Sequence, residues 1–208
     1  METLDLKKGL KYLYQPSAKV VQVVEVPCFQ FLMIDGEIEP GHKPGDSPGF
    51  DAAIQAMYGA AYTLKFNSKL RKENPIDYPV MALEGLWWTE TGVYDITQPE
   101  GWKYTLLILQ PGHITPEMFA DALEKLRKKK PNPALAQLRL AEFTEGLCVQ
   151  MMHIGPYSAE MATIQKMDEF AAAHSYRMHG KHHEIYLGDP RKAQPEKMKT
   201  ILRHPVEK

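Results

Sequence analysis

The chain has 208 residues, 44% hydrophobic and 25% charged, with a net charge of −1. It is long enough for one large domain or two small fused ones around a substantial core. The near-neutral balance gives no electrostatic footing for nucleic-acid binding, and no apolar run reaches transmembrane length.

Taken in order, residues 29–34 read as a strand ending at Asp35-Gly36. After a Pro/Gly-rich loop at 39–48, a helix is expected from about 50 to 66, with Ala53, Ala56, Met57, Ala60, Ala61 and Leu64 as its buried stripe. Asn74-Pro75 breaks the chain, and strands follow at 78–88 and 102–109, joined by a polar turn. A helix over Pro116–Lys129 has Thr115 as N-cap and Pro116 at its first position. The basic run at 125–130 complements that helix's dipole and needs no nucleic-acid partner. Residues 139–144 are expected to pair with 147–154 across Glu145-Gly146. Gly155-Pro156 stops that strand, Ser158 reads as the N-cap of a helix over 158–174, and strands follow at 183–187 and 199–206. Strand–helix–strand–strand thus occurs twice. Cys28 and Cys148 lie in apolar strand-like runs and read as buried free thiols. With no secretory h-region at the start, a cytoplasmic location is expected.

One segment stands out, His182-His-Glu-Ile-Tyr-Leu-Gly-Asp-Pro-Arg191. Alternation along a strand puts Glu184 and Tyr186 on one face and Ile185 and Leu187 on the other. A carboxylate beside aromatic groups suits a cationic or polarised ligand, or the activation of a water. Solvent exposure of Glu184 is the plain alternative. His179, His182 and His183 match no zinc spacing, and strand alternation separates His182 from His183. No metal and no cofactor is expected.

That segment, with Tyr78-Pro-Val-Met-Ala-Leu-Glu-Gly-Leu-Trp-Trp88, Glu145-Gly-Leu-Cys-Val-Gln-Met-Met-His-Ile-Gly-Pro-Tyr157 and Thr200-Ile-Leu-Arg-His-Pro-Val206, resembles the stand-alone GyrI-like small-molecule-binding proteins. The resemblance implies an α+β fold of two pseudo-symmetric strand–helix–strand–strand modules with antiparallel sheets and a ligand cleft between them. Within a single domain over 1–208, module one would span about 20–112, a linking helix about 115–130 and module two about 138–206. The superfamily includes effector domains of multidrug-sensing regulators and a gyrase inhibitor protein. A stand-alone subgroup hydrolyses cyclopropanoid DNA-alkylating compounds, and this chain resembles that subgroup, having Gly188 where a serine is common. Strand-forming sequence begins by residue 20, too early for a preceding helix-turn-helix.

By that resemblance Glu184 is the acidic residue of the cleft, and Tyr157, at a strand-to-helix turn, is placed to donate a proton to a developing oxyanion. Trp87 and Trp88 occupy opposite strand faces; Trp88 is favoured as the cleft residue because it shares a face with Glu84. Tyr186, Tyr104, Met57 and Tyr58 complete the candidate lining, methionine suiting a promiscuous pocket. Three functions follow: a cofactor-independent hydrolase acting on an aromatic small molecule, a non-catalytic multidrug-binding protein, or a gyrase-type protein partner. The near-neutral charge argues against the last. Neither nucleic acid nor membrane is an expected partner.

Overall fold

Caps and prolines set where the long helices begin. Ser47 accepts a bond from the Phe50 amide ahead of α3 (Pro48–Lys69), and Thr115 accepts one from Met118 ahead of α4 (Pro116–Lys129). The third helix, α5 (Met161–Ala173), follows a 3-10 turn over Tyr157–Ala159, so Glu160 and not Ser158 stands at its N-cap. Two single-turn helices, α1 (Leu6–Gly9) and α2 (Lys11–Tyr14), lie near the start of the chain; here the numbers α1–α5 give α3, α4 and α5 to the long helices. The computed structural model describes residues 2–90, 101–188 and 192–208. The expected turn between strands 78–88 and 102–109, and the Asp189-Pro190-Arg191 turn, lie largely outside the described residues.

The strands are β1 (Glu2–Thr3), β2 (Gln22–Val26), β3 (Phe29–Glu37), β4 (Ile76–Asp77), β5 (Leu83–Trp88), β6 (Lys103–Leu109), β7 (Arg139–Phe143), β8 (Gly146–Ile154), β9 (Arg177–Met178), β10 (His182–Tyr186) and β11 (Lys199–Glu207). The main sheet runs β2-β8-β11-β10-β5-β6-β3-β7, with antiparallel neighbours throughout. Short β9 pairs with β11, while β1 and β4 form a separate parallel pair. The order is symmetric about the β10–β5 seam. One half carries β3-α3-β5-β6 and the other β8-α5-β10-β11, which makes the fold α+β with a large antiparallel sheet.

Each half borrows an edge strand. β2, which precedes β3 in sequence, pairs with β8, and β7, which precedes β8, pairs with β3. The expected 139–144 to 147–154 hairpin is therefore not formed. β7 goes instead to β3, where Phe143 meets Phe31 edge-on at 6.3 Å. Residues 78–82 also stay irregular, and β5 begins only at Leu83; Pro79 has no amide to give a ladder.

The register sorts side chains onto two faces. Trp87, Tyr104, Glu184, Leu202 and Met151 share one face, and both α3 and α5 pack on it, α3 through Phe50 and α5 through Met167. Met57, Ala60 and Leu64 of α3 are fully buried. Cys148 is buried as expected, but Cys28 is exposed, because Pro27-Cys28 form the turn between β2 and β3 rather than part of a strand. None of the described helices is long and apolar enough to cross a membrane.

The opposite face of the seam holds a buried ionic network. His183 binds Glu84 through Nε2 at 3.0 Å and Glu145 through Nδ1 at 3.0 Å, so both ring nitrogens act as donors. Tyr14 donates to Glu84 at 2.6 Å, and Arg203 contacts Glu145 at 3.3 Å while donating to Gln150 and to the Leu13 carbonyl. Burial alone would depress His183, but Glu145 and then Glu84 lift it to about 9. Burial would likewise raise Glu145, but His183 and Arg203 hold it down at about 2. Two cations thus face two carboxylates, and the network ties the N-terminal segment to both halves of the sheet. Removing one charge leaves a buried excess of the other sign. Glu145→Gln is therefore expected to cost about 3 kcal/mol or more in urea unfolding, with the Arg203 and His183 charges left short of a partner.

Candidate functional site

Strand alternation and the β5–β10 register build this site. Glu184 pairs across the seam with Gly85, so its side chain rises beside Trp87 and Tyr186 on the helix-covered face. The Tyr186 hydroxyl donates to Glu184 Oε2 at 2.8 Å and accepts from Trp87 Nε1 at 2.9 Å. His182 Nε2 lies 3.4 Å from the other oxygen, Oε1. Glu184 is only 6% exposed, so the solvated-face alternative does not hold. Burial, followed by the charge of Glu184, pushes the Tyr186 phenol well above its ordinary value and keeps it a donor.

Tyr157 is half-buried and meets Tyr186 edge to face, with ring centroids 5.9 Å apart. Its turn is held from behind by His153, whose ring contacts the Pro156 carbonyl and Thr163 of α5. Trp87 stands at the centre of an aromatic wall, with Phe50, Trp102 and Tyr104 at 5.5, 5.6 and 5.7 Å. Tyr104 lies in this wall, buried against Phe50.

The other expected residues fall elsewhere. Trp88 points to the opposite face, half-buried, with Lys181 Nζ 3.3 Å from its ring centroid. Sharing a face with Glu84 puts Trp88 on the side away from Glu184, since Glu84 pairs with Ile185. Met57 lies wholly inside the core beneath α3. Tyr58, on α3, is half-buried against the core with its ring 6.4 Å from that of Tyr62.

Two residues escaped the sequence reading. Gly85 leaves room for the Trp87 indole: a Cβ there would sit 2.7 Å from Trp87 Nε1 and 3.2 Å from the Tyr186 hydroxyl. Glu160 is fully buried at the start of α5, close enough to Glu184 to feel its charge. Thr200 lies beside it, but neither of its carboxyl oxygens makes a well-formed hydrogen bond. Burial first, and Glu184 second, push Glu160 up to about 9, against the pull of the Thr200 hydroxyl. The face therefore combines a pinned carboxyl, a second carboxyl held neutral, phenols and an indole. Trp87, Phe50, Trp102 and Tyr104 are themselves buried, and Tyr157 is the half-buried ring of the set, so the face can meet positive charge and exchange protons beside Tyr157.

A family model described as the GyrI-like small molecule binding domain matches residues 19–207. An uncharacterized conserved protein from Listeria innocua is 41% identical, with a TM-score of 0.89, over 98% of this chain and 100% of its own. A Listeria innocua hydrolase is 40% identical, with a TM-score of 0.83 and the same coverage. The C-terminal domain of EcmrR, 10% identical with a TM-score of 0.55 over 91% of this chain and 98% of its own, shares the fold. No protein of curated function matches the chain. The chain belongs to the GyrI-like small-molecule-binding family.

Because the space over Gly85 is filled by Trp87, Gly85→Ala should displace the indole and break its bond to Tyr186. The expected result is a loss of about 1–3 kcal/mol in urea unfolding, with altered near-ultraviolet circular dichroism from Trp87.

Proposed function

We propose that the protein binds flat aromatic small molecules, cationic or electrophilic, against the Glu184 face of the seam, and hydrolyses strained cyclopropanoid DNA-alkylating compounds in the cytoplasm. The observation that carries this reading is the buried Glu184 carboxyl, oriented by Tyr186 and Trp87 and flanked by the half-buried Tyr157. The hydrolase from Listeria innocua, similar along the whole chain, supports an enzymatic role.

In this reading the substrate lies against the half-buried Tyr157, which the buried aromatic wall around Trp87 backs through Tyr186. Glu184 takes a proton from water as the oxygen attacks the cyclopropane carbon. The ring carbon–carbon bond breaks, and its electron pair moves through the dienone to the carbonyl oxygen. Tyr157 stabilises that oxyanion with its phenolic proton. Water supplies both new groups, a hydroxyl on carbon and a proton on oxygen. No metal or cofactor enters. A non-catalytic, sequestering role uses the same contacts and is favoured by the family's description as small-molecule binding. No surface feature described above calls for a gyrase-type partner.

Incubating the protein with a cyclopropanoid alkylator should yield the water adduct, detected by mass spectrometry. Glu184→Gln should reduce its formation by about 100-fold or more. Tyr157→Phe should reduce it about 10- to 100-fold while changing ligand affinity little, since stacking survives. Binding without any adduct would leave the sequestering role.

A further inference from the structure

Glu160 has no place in the chemistry above, yet its environment is unusual. A glutamate opening a helix is ordinarily solvated, its charge welcomed by the free amides of the first turn. Here the side chain is fully buried, makes no capping bond to α5 and leaves both oxygens without a well-formed hydrogen bond. It shares its surroundings with Glu184, the carboxyl that Tyr186 pins on the same sheet face. Two carboxyls so placed in low dielectric cannot both ionise cheaply.

We propose that Glu160 and Glu184 form a pair holding one proton, and that a flat organic cation entering beside Glu184 displaces that proton from Glu160 into solvent. The proposal rests on the small-molecule reading given above and adds a second acidic group and an exchange stoichiometry. In the free protein Glu160 is neutral and the pair carries a single negative charge. A bound monocation favours the doubly ionised pair. The complex then holds two negative charges against the one brought by the ligand, and the released proton goes to buffer.

Among the described residues, several groups face the pair from neighbouring elements. On β10, His182 and Tyr186 flank Glu184. From β11, Thr200 adjoins Glu160, and His204 lies 6.2 Å from His182, ring to ring. Asp168 of α5 feels the charge of His182, and Tyr157 reaches the pair through Tyr186. Burial, with His182 contributing, lowers His204 to about 4, so it is uncharged near neutrality. Burial raises Asp168, with His182 opposing. In the exchange range Glu160, raised to about 9, is the carboxyl left to titrate.

Ethidium, a flat fluorescent cation, is a suitable probe. Calorimetry at pH 7.5 in buffers of different ionisation enthalpy should show release of a proton, up to one per ethidium bound. Affinity should rise up to tenfold per pH unit towards pH 9 and level off above it. Glu160→Gln, which imitates the neutral carboxyl, should bind with no proton release and a flat pH profile. Binding by the wild type without proton release, or equal release by the variant, would overturn the exchange.

A second measurement needs no ligand. Glu160 is ionised above its ordinary range in the unfolded chain but stays protonated in the fold until about pH 9. Glu160's contribution to folding stability is therefore fullest below about pH 4.5 and is lost as pH rises towards 9. Glu160→Gln has no such loss, so its advantage in Tm over the wild type should grow between pH 5 and 9. A difference that stays constant with pH would refute the neutral Glu160. Failure of ethidium to bind, with that growing difference present, would instead refute the ligand class and the exchange with it.

Discussion

Five residue pairs along β5 and β10, from His182 opposite Trp87 to Tyr186 opposite Leu83, join the two halves of the sheet. Their register decides which chemistry goes to which side. It sets Glu184 over Gly85 on the face carrying α3 and α5, and it sets His183 with Glu84 on the other. A slip of one residue would exchange the two faces. The ionic network beneath opposes that slip, since His183 can bridge Glu84 and Glu145 only in the observed alignment. A carboxyl buried on one face is thus held in place partly by charges paired on the other.

The two faces treat acid differently. Beneath the seam, Glu145 and Glu84 meet His183, Arg203 and Tyr14 at bonding distance, and the charges are balanced. Above it, Glu160 is buried without a well-formed hydrogen bond among the described residues, and burial followed by Glu184 pushes it up to about 9. The first arrangement stabilises the fold. The second costs stability at neutral pH. The shared fold of the EcmrR C-terminal domain indicates that this architecture recurs in very different sequences.

Much of this architecture was legible in the sequence. Hydrophobic spacing and proline placement located the three long helices and the main strands, and alternation alone placed Glu184 with Tyr186. Facts set by tertiary pairing were not legible. Nothing local says that β10 lies beside β5, so the sequence does not tell that Trp87, and not Trp88, shares a face with Glu184. The β7–β8 hairpin was expected from a Glu-Gly turn, but the strands had better partners in β3 and β2. Glu160 reads as an ordinary first-turn acid until its burial is known. Tyr14 reads as part of a featureless start until it is seen bonded to Glu84. Gly85 offered a faint signal, a glycine within a strand of bulky residues, which often marks a close approach by another group.

The most direct test of the account is a crystal structure of the protein with a bound flat aromatic cation. The ligand should lie on the Glu184 face, within contact of Tyr157 and with its positive charge towards Glu184. A ligand bound on the opposite face, beside Trp88 and Lys181, or with no contact to Glu184, would contradict the assignment of that face as the binding site.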